Sequence, residues 1–229
     1  PGDITFLSET ASCERIIKLL GYQPQWPNQF RDGVILEYCG EGDLFKYFER
    51  RWTNHIMVTE DTMWRVFTQL MEALAYLHQG HGSGRNKDEW KPIVHRDIKP
   101  ENIMLVSSDN TPGSVLNLKL ADFGVSAFYD PNNCSFVNKG TPTYQPPEQV
   151  NGKATPAGDV WAVGAIIHFM GHGVRPHVNT VDFAREWRKA NPGVTPLGSD
   201  RKSYWEQRAT RLAIPLNQDK KEWQPTYSD

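Results

Sequence analysis

From Thr59 to Gln79 the chain reads TEDTMWRVFTQLMEALAYLHQ, and Val66, Phe67, Leu70, Leu74 and Leu77 recur at three- and four-residue steps, the spacing of one helix face. Glu60 and Asp61 fall in the first turn, where carboxylates favour the positive end of the helix dipole. Upstream, ERIIKLLGY (14–22) predicts the end of a helix running into a strand. RDGVILEYCGEGDLFKYFERR (31–51) predicts a strand, a glycine-punctuated break and a short amphipathic helix. Downstream, the apolar runs Ile103–Val106 and Val115–Leu120 flank SSDNTPGS (107–114), a strong turn, and so predict a β-hairpin. The longest apolar run, VWAVGAIIHFM (160–170), is too short to span a bilayer and predicts a buried helix. After Gly171 the pattern weakens: VDFAREWRKA and SYWEQRATRLA predict helices in a region divided by Pro176, Pro192, Pro196 and Pro215. No internal repeat is present.

Composition adds limits. Of 229 residues, 38% are hydrophobic and 23% charged, the balance of a soluble globular protein. A formal net charge of −2 gives no electrostatic case for nucleic acid or an acidic membrane as partner. The three cysteines, Cys13, Cys39 and Cys134, show no C-x-x-C or disulfide spacing, which predicts a reducing, intracellular setting. There is no signal peptide, and the chain opens on Pro1 without an initiator Met, as a fragment or processed product would. The glycine-rich GHGSGRNKDEWK (80–91) follows a helix instead of joining strand to helix, so a polar surface loop is expected there.

The chemistry concentrates in HRDIKPEN (95–102). Phosphoryl transfer asks a protein for positioning, charge neutralisation and a group that orients the attacking hydroxyl. Asp97 can accept or orient a hydroxyl proton, Lys99 can neutralise charge on the moving phosphoryl group, and Asn102 offers an amide oxygen to a hard cation such as Mg²⁺. Asp122, in ADFGV (121–125), supplies a second oxygen ligand after an apolar strand.

These residues resemble the eukaryotic protein kinases. The resemblance rests on His95-Arg96-Asp97 with Lys99 and Asn102, on Asp122-Phe123-Gly124, on GTPTYQPPE (140–148) and on DVWAVG (159–164), in the family's order and spacing. It covers roughly residues 14 to 170 and implies an α+β, two-lobed kinase-like fold with ATP and Mg²⁺ as cofactors and a protein as substrate. By resemblance, Asp97 is the catalytic base, Lys99 contacts the γ-phosphate, Asn102 and Asp122 hold metal, and Asp159 braces the catalytic loop. Lys99 together with Gly140-Thr141 resembles the serine/threonine branch. VILEYCGEGDLF resembles the hinge between lobes: the Glu37 carbonyl and the Cys39 N–H would meet the adenine edge, Leu36 would be gatekeeper, Asp43 would reach the ribose, and Met104 would lie beneath the base. Asp122 to Glu148 resembles an activation segment, with Thr141 bonded toward Asp97 and Arg96 meeting a phosphate on the segment. Ser135 is the nearest hydroxyl to the position that usually carries that phosphate. Glu148 would pair with an Arg from the last helices.

The sequence also departs from the family. No glycine-rich strand-turn-strand and no strand Lys precede the hinge, and the acid of the regulatory helix falls near Asp3, with Glu9 as the other candidate. The expectation is therefore a single partial kinase domain over 1–229, with 1–38 a truncated small lobe and 39–229 a mostly helical large lobe lacking its last helices. As such, it would bind ATP weakly by itself. Three functions stay open: a serine/threonine protein kinase, a pseudokinase acting by protein binding, and a small-molecule phosphotransferase. The joint presence of Asp97, Lys99, Asn102 and Asp122 favours the first.

Overall fold

The computed structural model describes residues 2–108, 115–132, 139–150, 153–175, 180–199, 204–205 and 208. Helix α1 (Gly2–Glu9) leads into an antiparallel pair, β1 (Leu19–Gln23) and β2 (Gly33–Leu36), with Leu19 opposite Leu36 and Tyr22 opposite Val34. Helices α2 (Leu44–Thr53) and α3 (Glu60–Gln79) follow, then the two-residue strand β3 (Ile93–Val94) and the hairpin β4 (Ile103–Ser107) and β5 (Asn117–Leu120). The second strand of a further small pair, β6 (Ala127–Phe128), lies against β3. Helices α4 (Pro147–Val150), α5 (Pro156–His172) and α6 (Thr180–Ala190) complete the described elements. This mixture of helices and small antiparallel sheets is the α+β architecture expected. Among the described residues no helix is long and apolar enough to cross a membrane.

Helix α3 is the centre of the core, as its periodicity requires. Val66, Leu70, Leu74 and Leu77 are buried, with Phe67 partly so, and they pack with Val163, Ile166 and Met170 of α5 and Leu118 of β5. Its ends are set by local chemistry. The Thr59 hydroxyl accepts the Thr62 N–H at 3.2 Å, and Gly80 adopts φ +66°, so its N–H reaches the Tyr76 carbonyl at 2.8 Å. Gly80 has a second reason to lack a side chain: a Cβ there would stand 2.7 Å from the Trp90 ring. Trp90 is buried, donates Nε1–H to the Leu77 carbonyl at 2.9 Å and meets Tyr76 edge-on. The 80–91 loop is thus anchored by one aromatic side chain among its polar residues, a tie that a reading of average polarity misses.

One expectation needs correction and another needs extension. The helix foreseen across ERIIKLLGY ends at Glu9 instead. Ile16 and Ile17 are buried in an extended run beside β5, with Ile17 N–H on the Leu120 carbonyl at 2.9 Å and Leu120 N–H on the Arg15 carbonyl at 2.8 Å. Two adjacent isoleucines served a strand edge, not a helix face. The buried helix foreseen at 160–170 begins earlier, at Pro156, because Thr155 caps it by accepting the Gly158 N–H at 3.2 Å. The turn residues 109–114 of the hairpin lie outside the described residues, as does the helix expected over SYWEQRATRLA except at 204, 205 and 208.

Candidate functional site

The segment from His95 to Asn102 leaves β3 and is held from below by Asp159 on α5. Asp159 is 2% exposed. Its Oδ2 accepts the His95 N–H and its Oδ1 the Arg96 N–H, both at 2.9 Å, and His78 Nε2 lies 2.9 Å from Oδ2. The bracing expected of Asp159 is present, and His78 is an addition that sequence reasoning missed. Arg96 takes φ +71°, an uncommon conformation for a bulky side chain, stabilised here by both Asp159 and its own guanidinium. That guanidinium donates from Nε to the Val125 carbonyl and from Nη2 to the Ser126 carbonyl at 3.1 Å. Arg96 therefore tethers the start of the segment after Asp122 through backbone carbonyls. Ser135, the nearest hydroxyl to the expected phosphate position, lies outside the described residues.

His95 is fully buried, its ring edge-on to Phe123. Its Nε2 donates to the Ala121 carbonyl at 3.0 Å, and its Nδ1 accepts the Asp97 N–H at 3.3 Å, an arrangement that suits the neutral ring. Burial pushes its pKa below the ordinary range, against the opposing pull of Asp159, and burial does the same for His168 on α5. The unfolded chain takes up protons at these histidines near pH ~6.5 while the folded chain resists. Stability present above that pH is therefore lost as pH falls toward the depressed native values. The slope is at most about 1.4 kcal/mol per pH unit for each histidine. Urea midpoints at pH 7.5 and 5.5 should show the lower value at 5.5; equal midpoints would refute this assignment.

Asp97 sits at the convergence of three donors. Its Oδ1 accepts the Thr141 N–H at 2.7 Å, while Oδ2 lies 3.0 Å from Lys99 Nζ and 3.2 Å from Asn102 Nδ2. Burial alone would raise its carboxyl, but the hydrogen bonds from Thr141 and Lys99 hold it below the usual carboxylate range. Lys99 Nζ also donates to Thr141 Oγ1 at 2.9 Å, joining the two features that resemble the serine/threonine branch. Asn102 directs its amide nitrogen to the Asp97 carbonyl at 2.9 Å as well, which orients its Oδ1 away from Asp97. The β4–β5 hairpin then returns the chain: Ala121 N–H bonds the Asn102 carbonyl at 2.9 Å, and Asp122 follows at φ +63° with an exposed carboxylate that accepts the Gly124 N–H at 3.2 Å.

Asn102 and Asp122 share the lining of a cavity of about 300 Å³ with Met104, Leu36 and Asp3. Asp3, the nearer of the two candidate acids on α1, faces this cavity. Glu9 is engaged elsewhere, 2.6 Å from Arg85 of the 80–91 loop. The structure thus brings together Asp97, Lys99, Asn102, Thr141, Asp122 and Met104. Glu37, Cys39 and Asp43 are not among the residues lining the cavity. The Glu37 carboxylate turns to Lys119 Nζ at 2.6 Å, and despite burial that partner and the Lys18 N–H lower its pKa. Cys39 is buried. Asp43, expected to reach a ribose, caps α2 by accepting the Lys46 N–H at 2.9 Å and pairs with Lys46 Nζ at 3.2 Å. Glu148 is exposed on α4 and has no ion pair among the described residues.

Comparison with known proteins agrees with this geometry. A profile of the protein kinase domain matches residues 3–212. The chain is 36% identical over 148 residues to the serine/threonine-protein kinase Nek1 of Toxoplasma gondii, covering 62% of this chain and 9% of that protein. It is 39% identical over 139 residues to the SNF1-like protein kinase ssp2 of Schizosaccharomyces pombe, covering 60% of this chain and 20% of that one. With the G2-specific protein kinase nimA of Emericella nidulans it shares 34% identity over 179 residues, 69% of this chain and 25% of the relative. The chain thus spans a quarter or less of the length of these relatives.

Proposed function

The chain belongs to the protein kinase family, and from that premise we propose that it transfers the γ-phosphoryl group of ATP to a serine or threonine hydroxyl of a protein. One observation carries the reading: the Asp97 carboxylate is fixed among Thr141 N–H, Lys99 and Asn102, and Asn102 in turn lines a cavity with Asp122. Asp97 orients the acceptor hydroxyl and receives its proton as the oxygen bonds to phosphorus and the bond to the ADP oxygen breaks. Lys99, bridging Asp97 and Thr141, is placed to balance negative charge beside the acceptor.

The donor set suits a hard cation. The Asn102 amide nitrogen is committed to Asp97, which leaves its oxygen for a metal, and Asp122 offers an exposed carboxylate. Asn102 and Asp122 would hold Mg²⁺, which when bound with ATP neutralises phosphate charge. Residues 1–38 would contribute to the smaller lobe and residues 39–229 to the larger, with the nucleotide between them. The preference for serine and threonine is supported by Lys99, by Gly140-Thr141 and by likeness to relatives such as the Toxoplasma serine/threonine-protein kinase. The test is phosphoamino-acid analysis after the full-length protein is incubated with γ-labelled ATP, Mg²⁺ and a mixture of casein and basic proteins. Label should appear on phosphoserine or phosphothreonine. Label confined to phosphotyrosine, or no transfer to protein, refutes the reading.

A further inference from the structure

Two glutamines flank the prolines of the 140–148 motif, and the chemistry just described uses neither of them. Gln145 and Gln149 are each 3% exposed. Gln149 Nε2 donates to the Arg96 carbonyl at 3.2 Å and to the Lys139 carbonyl at 3.3 Å, and Gln145 Nε2 donates to the same Lys139 carbonyl at 2.6 Å. Both partners of Gln149 are carbonyls, which fixes the orientation of its amide. The Arg96–Asp97 peptide begins at the carbonyl that Gln149 holds, and the Arg96 N–H is held by Asp159. Arg96 is thus clamped on both sides in a left-handed conformation.

The glutamines have the same hold on the facing segment. Lys139 precedes Gly140, which takes φ +98° and passes so close to the catalytic loop that a Cβ would stand 2.2 Å from the Arg96 carbonyl oxygen. The next residue, Thr141, gives its N–H to Asp97 Oδ1 at 2.7 Å. One buried amide therefore touches the residue before Asp97 and the stretch before Thr141, the two chains whose separation sets that hydrogen bond.

We propose that Gln149, assisted by Gln145, is a positioning residue that holds the Thr141-bearing segment in register with Asp97. The role rests on the kinase reading above and deepens it: Gln149 touches no reacting atom and acts through Asp97 and Thr141. Loss of its two hydrogen bonds leaves buried carbonyls unpaired and lets the segments slide relative to each other. The effect should fall on turnover of the protein acceptor and not on nucleotide binding.

The test uses the full-length protein with Gln149→Leu, which keeps the volume and removes the donor, and Gln149→His, which keeps one N–H at similar reach. Gln149→Leu is expected to lower kcat about tenfold, the equivalent of two ordinary hydrogen bonds, with KM for ATP unchanged. Amide exchange at Thr141 should accelerate about tenfold by the same arithmetic. Gln149→His should recover most of both losses. Wild-type kcat and unchanged Thr141 exchange in Gln149→Leu overturn the proposal. So does a Gln149→His protein as impaired as Gln149→Leu, which would assign the loss to packing. Asp97→Asn is measured alongside. Wild-type transfer abolished by Asp97→Asn with Gln149→Leu unaffected refutes only the glutamine role, whereas a wild type without transfer refutes the kinase reading too. If Gln149→Leu fails to fold, Gln149→Met, which also lacks a donor, takes its place: a roughly tenfold loss of kcat with faster Thr141 exchange and unchanged KM for ATP supports the role, and wild-type kcat and exchange refute it.

Discussion

Asp97→Asn in the full-length protein is expected to lower phosphoryl transfer by roughly 10²–10⁴-fold, the range of a lost general base. The substitution keeps the volume and removes the proton acceptor. It also disturbs its neighbours, because Oδ1 and Oδ2 now receive three donors: Thr141 N–H, Lys99 Nζ and Asn102 Nδ2. An Asn oxygen can still accept from Thr141, but its NH₂ then faces a lysine and an amide NH₂, neither of which accepts a hydrogen bond there. Nucleotide affinity should change little, since Met104, Leu36 and Asp122 are untouched. Initial rates at saturating acceptor, with a parallel nucleotide-displacement titration, separate the two effects. Turnover equal to wild type would remove Asp97 from the chemistry.

The largest stability loss is expected from Asp159→Ala. One 2%-exposed carboxylate accepts from two backbone N–H groups and faces a histidine. Its removal leaves the His95 and Arg96 N–H groups buried without acceptors, each costing about 1–3 kcal/mol, and deprives His78 of its partner. The two N–H groups alone come to roughly 2–6 kcal/mol, centred on the ~3–5 kcal/mol typical of breaking a buried charged contact. For a domain of this size that corresponds to a fall in melting temperature of about 6–20 °C. Arg96 would also lose the support for its positive φ, so transfer should fail in whatever fraction remains folded. Asp159→Asn should lie between, because one amide oxygen still accepts while the NH₂ opposes the second N–H. Calorimetry of the three proteins checks the order, and a midpoint for Asp159→Ala within about 2 °C of wild type would contradict it.

How far these residues could be read without coordinates depended on the range of the interaction. The α3 face, the β4–β5 hairpin and the gathering of Asp97, Lys99 and Asn102 follow from periods, turn chemistry and short spacings, all local properties of the chain. Asp43 shows where locality is insufficient. A carboxylate just before a helix suits both a ligand hydroxyl and the helix's own N–H groups, and its Oδ1 accepts the Lys46 N–H. Glu37 and Lys119 are far apart in sequence, and nothing local pairs them. Gln149 was invisible for the same reason: a glutamine after an exposed glutamate looks like surface until the Arg96 and Lys139 carbonyls arrive beside it. Ile16 and Ile17 failed in another way, since two adjacent branched residues satisfy a helix end and a strand edge equally well in sequence.

The β4–β5 hairpin gives the two halves of the site different topological origins. Asn102 and Asp122 stand at its open ends, so closing one short antiparallel pair brings the amide and the carboxylate together. Asp97 depends on far longer closures: Thr141 lies 44 residues away along the chain, and the Asp159 contact to Arg96 spans 63. Closing the longer loops costs about 1 kcal/mol more entropy than closing the hairpin. The Asn102–Asp122 half is therefore a low-contact-order unit, while the Asp97 half is assembled from remote segments. The Asn102–Asp122 pair is thus the cheaper to close, whereas the loop that carries Asp97 is braced only where α5 brings Asp159 to Arg96.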